Sequence, residues 1–295
     1  MTPRYSAYLA AIRPTSQLWR LVLGLGLIVG VYVLWMVILG GAMWLTSGLD
    51  GLEAGLIAAN DAADPWSLLF LLTTFLGGWF GVALALRLLH RRRLGSLFGR
   101  APVVLRDFTL GVVLMAVIGG GLTLAALPAL PPLEIATPPG IWAAFLPLAL
   151  LGILIQTGAE EAVFRGYIQG QLAARFGWAP IWMGVPTVLF GLAHFAPEAM
   201  GGNTWIIVAS TGLFGLYASD LTARTGALGL AWGLHFANNV LAILILSVTE
   251  SLDGLALLRL PAGAASDSVL RPMLLSDMVL MTVVWLSCRL WLRRR

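Results

Sequence analysis

Apolar residues in this chain fall in long runs, separated by short stretches that carry arginine, proline or acidic residues. A helix that crosses a bilayer needs roughly 20 apolar residues. Eight segments meet or approach that length: Trp19–Leu45, Ser67–Leu89, Phe108–Leu127, Ile141–Arg175, Ile181–Phe195, Thr204–Leu221, Leu228–Val248 and Met273–Trp291. The fourth is too long for one perpendicular span and must tilt or protrude. The fifth is short, with His194 and Phe195 near its end. Between the third and fourth lies Pro128–Pro139, which the prolines bar from a helix and which is expected to be an external linker. The first run exceeds the ~7–15 apolar residues of a cleavable signal, so it reads as a retained span. No internal repeat is evident. The pattern predicts an all-α, polytopic transmembrane bundle of about eight helices.

Charge fixes the expected orientation. Only 11% of the residues are charged, against 59% hydrophobic, where a soluble domain carries roughly 25% charged residues. All 18 basic residues are arginine. Their spacing in short clusters between apolar runs suits a membrane protein and argues against a nucleic-acid or nucleotide partner. With eight spans, sixteen of the arginines fall on one side and only Arg259 and Arg271 on the other. The opposite loops hold Asp50, Glu53, Asp61, Asp64, Glu134, Glu198, Glu250, Asp253 and Asp267. The positive-inside rule then places both termini in the cytoplasm. His90, beside Arg91, Arg92 and Arg93, reads as part of a basic anchor. The tryptophans read mostly as interface anchors. The single cysteine, Cys288, offers neither a disulfide framework nor a cysteine metal cluster. Gly77, Gly78 and Gly81 suit close helix packing.

Ionisable groups inside a span are costly and mark function by default. The fourth span carries Glu160, Glu161, Phe164, Arg165 and Gly166; the fifth carries Phe190 and His194; the seventh carries His235, Asn238 and Asn239. Glu161 and Arg165 are one turn apart, with the acid N-terminal, the favourable order for an ion pair. His235 and Asn239 likewise share a face. Glu160 is rotated about 100° from Glu161, so it is expected to be left free to face a cavity. Glu160 lies 17 residues before Gly177 and His194 lies 17 after it, so an antiparallel hairpin brings them to similar depth. A carboxylate can act as general base on water, a neighbouring imidazole can share that task or bind a metal, and a His–Asn pair can donate to an oxyanion. No Ser or Cys nucleophile accompanies these residues, so water is the expected nucleophile.

The three motifs resemble those of the CPBP (CAAX protease and bacteriocin-processing, or Abi) family: Glu-Glu-x-x-x-Arg at Glu160, Glu161 and Arg165, Phe-x-x-x-His at Phe190 and His194, and His-x-x-x-Asn at His235 and Asn239. Arg224–Leu228 also looks like the family. The resemblance divides the chain into an N-terminal three-helix region (1–140), a CAAX-protease-like core (141–248), and a loop with the last helix (249–295). It implies an intramembrane endopeptidase in which Glu160 and His194 activate water, His235 and Asn239 stabilise the oxyanion, and Glu161 and Arg165 organise the site. Glu160, His194 and His235 would suffice as three ligands of a zinc ion, with water fourth; the same residues would serve a metal-free mechanism. The expected partners are the bilayer and a membrane-associated peptide or protein, and the expected location is a bacterial inner membrane. The alternative is a non-catalytic family member acting as scaffold, immunity or regulatory protein. A transporter or proton relay would be expected to show inverted repeats.

Overall fold

The computed structural model describes residues 1–247, 252–261 and 267–294. The expected end of the seventh span at Val248, the loop residue Glu250 and the terminal Arg295 lie outside them.

The protein is a polytopic helical bundle. After a short α1 (Pro3–Ala10) comes α2 (Leu18–Asp61), then α3 (Pro65–Thr74) and α4 (Leu76–His90), which together form one span. The third span is α5 (Ala101–Leu114) continued through a π turn at Met115–Gly119 into α6 (Gly120–Ala126). The fourth is α7 (Pro139–Glu161), a π segment at Ala162–Gln169, and α8 (Gly170–Arg175). Then follow α9 (Val185–Leu192), α10 (Pro197–Met200), α11 (Thr204–Thr225), α12 (Gly229–Val240) and α13 (Asp267–Arg293). Among the described residues six helices are long and apolar enough to cross a membrane; Pro180–Leu192 and Gly229–Ile245 are shorter. All eight expected segments therefore hold an apolar helix, and the fifth and seventh are the short ones.

Three features depart from the sequence expectation. Residues 50–61, expected in a loop, continue α2 beyond Gly48, whose backbone (φ 72°, ψ −171°) only glycine adopts readily. The chain folds back there: a Cβ on Gly40 would lie 3.6 Å from Leu52 Cδ1, an approach that a straight helix forbids. The proline-rich linker is not wholly irregular. Its β1 (Glu134–Ile135) pairs antiparallel with β3 (Leu258–Arg259), which pairs in parallel with β2 (Leu246–Ser247). Finally, His90 is not an exposed anchor. It is buried, its Nδ1 lies 3.1 Å from the Thr15 carbonyl, and its Nε2 lies 2.8 Å from the Tyr167 hydroxyl.

Close approach of backbones sets the bundle. α2 packs along α4, and α12 along α5. A Cβ on Gly81 would sit 2.8 Å from Ile28 Cα, and one on Gly111 would sit 2.7 Å from the Leu230 carbonyl. Added Cβ atoms on Gly229 and Gly233 would strike the Val104 and Phe108 carbonyls. Small residues at such seams let helices approach where lipid provides no hydrophobic drive.

Candidate active site

The motif-bearing stretch of the fourth span is held at Gly158. The indole nitrogens of Trp79 and Trp232 donate to the Ile155 carbonyl (2.8 Å) and the Thr157 hydroxyl (3.2 Å). A Cβ on Gly158 would meet both rings, at 2.7 and 2.9 Å. These tryptophans, expected at the membrane interface, instead clamp the helix just before Glu160. The π segment begins immediately after Glu161. A π turn fits one extra residue into a helical turn and so re-aims the side chains beyond it.

Glu161 is fully buried and Arg165 is 1% exposed, with Arg165 Nη1 3.0 Å from Glu161 Oε1. The guanidinium also lies over the Phe190 ring (4.3 Å) and near those of Phe214 and Phe164. The ion pair offsets part of the cost of burying the cation, and the aromatic faces add cation–π attraction. The same Glu161 Oε1 lies 2.9 Å from His235 Nδ1. A carboxylate cannot face an imidazole lone pair favourably, so Nδ1 carries the proton and donates. Nε2 is thereby turned toward Glu160 Oε2, at 3.4 Å.

Glu160 is not left free, as its rotation from Glu161 had suggested. Its Oε1 accepts a hydrogen bond from Gln156 Nε2 (2.8 Å), one turn earlier on the same helix face, and Gln156 Oε1 accepts one from Asn239 Nδ2 (2.9 Å). Glu160 keeps 14% side-chain exposure where Glu161 has none, while its Oε2, on the His235 side, is buried and accepts no hydrogen bond. Asn239 follows His235 by one turn of α12, so both side chains meet the fourth span. Gln156 was missing from the sequence reading. A glutamine four residues before an acid in an apolar helix was the available signal.

His194 occupies the turn just after α9. Its Nδ1 donates to the Phe190 carbonyl at 2.8 Å, which leaves Nε2 as the acceptor nitrogen of the ring. Its ring packs on Phe190 at 4.9 Å between centroids, and His235 packs on the same ring at 5.8 Å. The structure thus brings Glu160, Glu161, Arg165, His235, Gln156 and Asn239 into one polar chain. His194 joins it through Phe190 rather than by a hydrogen bond. Among the described residues no group of three or more His, Cys, Asp or Glu side chains is disposed to hold a metal ion. Glu160, His194 and His235 therefore do not form a ready-made zinc cage in this arrangement.

Residues 141–241 match the family described as type II CAAX prenyl endopeptidase Rce1-like. Over 116 residues the chain is 34% identical to a Bacillus subtilis protein described as uncharacterized protein YyaK. The aligned stretch covers 39% of this chain and 38% of that relative, so the chain spans well under half the length of the curated relative it matches. No solved structure matches the chain.

Proposed function

From the match of residues 141–241 to the Rce1-like CAAX endopeptidase family, we propose that the protein is an intramembrane endopeptidase whose nucleophile is water. The observation that carries this reading is the sharing of Glu161 Oε1 by Arg165 and His235, which turns His235 Nε2 onto Glu160 at 3.4 Å. A proton on that Nε2 leaves Glu160 as the ionised base and makes His235 a donor on both nitrogens. Two carboxylates, one guanidinium and one imidazolium then sum to zero charge, the least costly state for a buried cluster.

In the reaction, Glu160 takes a proton from water as the water oxygen bonds to the scissile carbonyl carbon. The free Nε2 lone pair of His194 accepts a hydrogen bond from the same water and aligns it. His235 Nε2–H and the second N–H of Asn239 donate to the carbonyl oxygen as negative charge develops there. Collapse of the tetrahedral intermediate breaks the C–N bond, and the proton held by Glu160 passes to the leaving amine. Glu161 and Arg165 touch no reacting atom; they fix the tautomer and angle of His235. The substrate is a membrane-associated peptide or protein, and the bilayer is the enzyme's solvent. The reading is tested with purified protein in lipid nanodiscs and an internally quenched peptide. Glu160→Gln and His194→Ala are expected to lose cleavage while keeping the wild-type melting temperature. Undiminished cleavage by either variant overturns that residue's assignment.

A further inference from the structure

A cleft of about 560 Å³ opens at the end of the bundle where α4 finishes and α5 and α12 begin, remote from the motif residues along α12. Helix α1 forms one wall. It is pinned there by the Thr2 hydroxyl donating to the Ala223 carbonyl and the Tyr8 hydroxyl donating to the Leu97 carbonyl, both at 2.7 Å. The opposite loops are clasped together: Leu228 N–H donates to the Phe98 carbonyl at 3.0 Å. Gly99 (φ 89°) and Gly226 (φ 68°) let them touch, since a Cβ on Gly99 would lie 2.8 Å from the Gly226 carbonyl. The hollow is therefore framed by specific contacts rather than left by loose packing.

Its charge is one-sided. Arg4, Arg100 and Arg106 line it, and none of its lining residues is acidic. Arg106 is paired with Asp107 at 2.8 Å. Arg4 and Arg100 are exposed and carry no ion pair among the described residues. The 14-residue helix α5 starts at the cleft with no side-chain cap; Pro102 has no N–H, and the Val103 and Val104 amides donate to the Arg100 carbonyl (2.9 and 3.0 Å), which leaves the Ala101 N–H at the helix start. The N-terminal end of a helix carries positive potential that favours an anion, and guanidinium groups match phosphate oxygens in pairs. Two arginines without an ion pair, in a cleft beside the positive end of a helix, point to a tetrahedral oxyanion. The site lies at the ends of apolar helices, the level at which bilayer headgroups lie.

We propose that this cleft binds a phosphate group presented by the headgroup of an anionic phospholipid. The proposal is independent of the peptidase reading. Its test is the melting temperature of the purified full-length protein in detergent, titrated with phosphatidylglycerol, phosphatidylcholine or inorganic phosphate. The wild type is compared with the Arg4→Gln/Arg100→Gln double variant. Lipid retention is followed in parallel by native mass spectrometry. Phosphatidylglycerol should raise the wild-type melting temperature and be retained, while the neutral-headgroup lipid should do neither. At about 1 kcal/mol for each arginine near an anionic surface, the double variant should bind the lipid about 30-fold more weakly. Its melting temperature in phosphatidylcholine should equal that of the wild type, which shows the fold intact. Equal stabilisation of wild type and variant by phosphatidylglycerol, or equal stabilisation by both lipids, overturns the site. Inorganic phosphate acting as well as the lipid overturns the headgroup as its source.

Discussion

Gln156 gives the sharpest test of how the site is held together. Both ends of its amide are used, one donating to Glu160 Oε1 at 2.8 Å and the other accepting from Asn239 at 2.9 Å. Gln156→Leu keeps a similar volume and removes both bonds. A hydrogen bond to an ionised group contributes about 1.5–3 kcal/mol. If that energy acts on the geometry of the transition state, kcat falls about 10- to 150-fold. The stability cost should be smaller, about 1 kcal/mol, because Glu160 and Asn239 are both partly exposed and regain solvent contacts. The assay is turnover of a quenched peptide in nanodiscs, well below the melting temperature, with kcat and KM determined separately. A positioning role lowers kcat and leaves KM nearly unchanged. A lower melting temperature with wild-type kcat would show that Gln156 is only interhelical glue and would refute the reasoning.

Glu161→Gln should cost about 3–5 kcal/mol, because it strands the buried Arg165 guanidinium; thermal unfolding should show this loss, while Glu160→Gln should unfold near the wild-type temperature. Gly233→Leu drives a side chain into the Phe108 carbonyl at the α5–α12 seam and should destabilise by about 1–3 kcal/mol. Gly121→Leu, where a Cβ meets nothing within 4 Å, serves as the control in the same thermal-unfolding measurement. Asp64 caps α3; the Ser67 hydroxyl, with the Ser67 and Trp66 amides, holds its carboxyl below the usual value of 3.8. Its contribution is complete above about pH 4 and is lost as pH falls through the lowered pKa. The melting temperature of Asp64→Asn should accordingly fall less than that of the wild type at low pH.

The spans were legible because bilayer thickness imposes a length that sequence composition displays directly. The motif residues were legible because charge inside an apolar run is conspicuous and a four-residue spacing has one meaning on a helix. The Glu161–Arg165 pair follows from that spacing alone. Other features were hidden for identifiable reasons. His90 was misread because its neighbours in sequence are arginines, whereas its hydrogen-bonding partner Tyr167 is 77 residues away. Gln156 is neutral, so only its four-residue spacing from Glu160 separates it from ordinary interhelical glue. The π segment at Ala162–Gln169 has no residue signature. The two-residue strands are too short to show alternation, and the fold-back at Gly48 depends on a backbone angle that sequence cannot specify.

The central claim is that Glu160 transfers a water proton as that water enters the product. It is tested most directly by single-turnover cleavage in isotopically labelled water, comparing wild type with Glu160→Gln. The account predicts that the wild type places one labelled oxygen in each new carboxylate, and that the correctly folded variant yields product no faster than the uncatalysed background. A folded Glu160→Gln protein that incorporates label at the wild-type rate would contradict it.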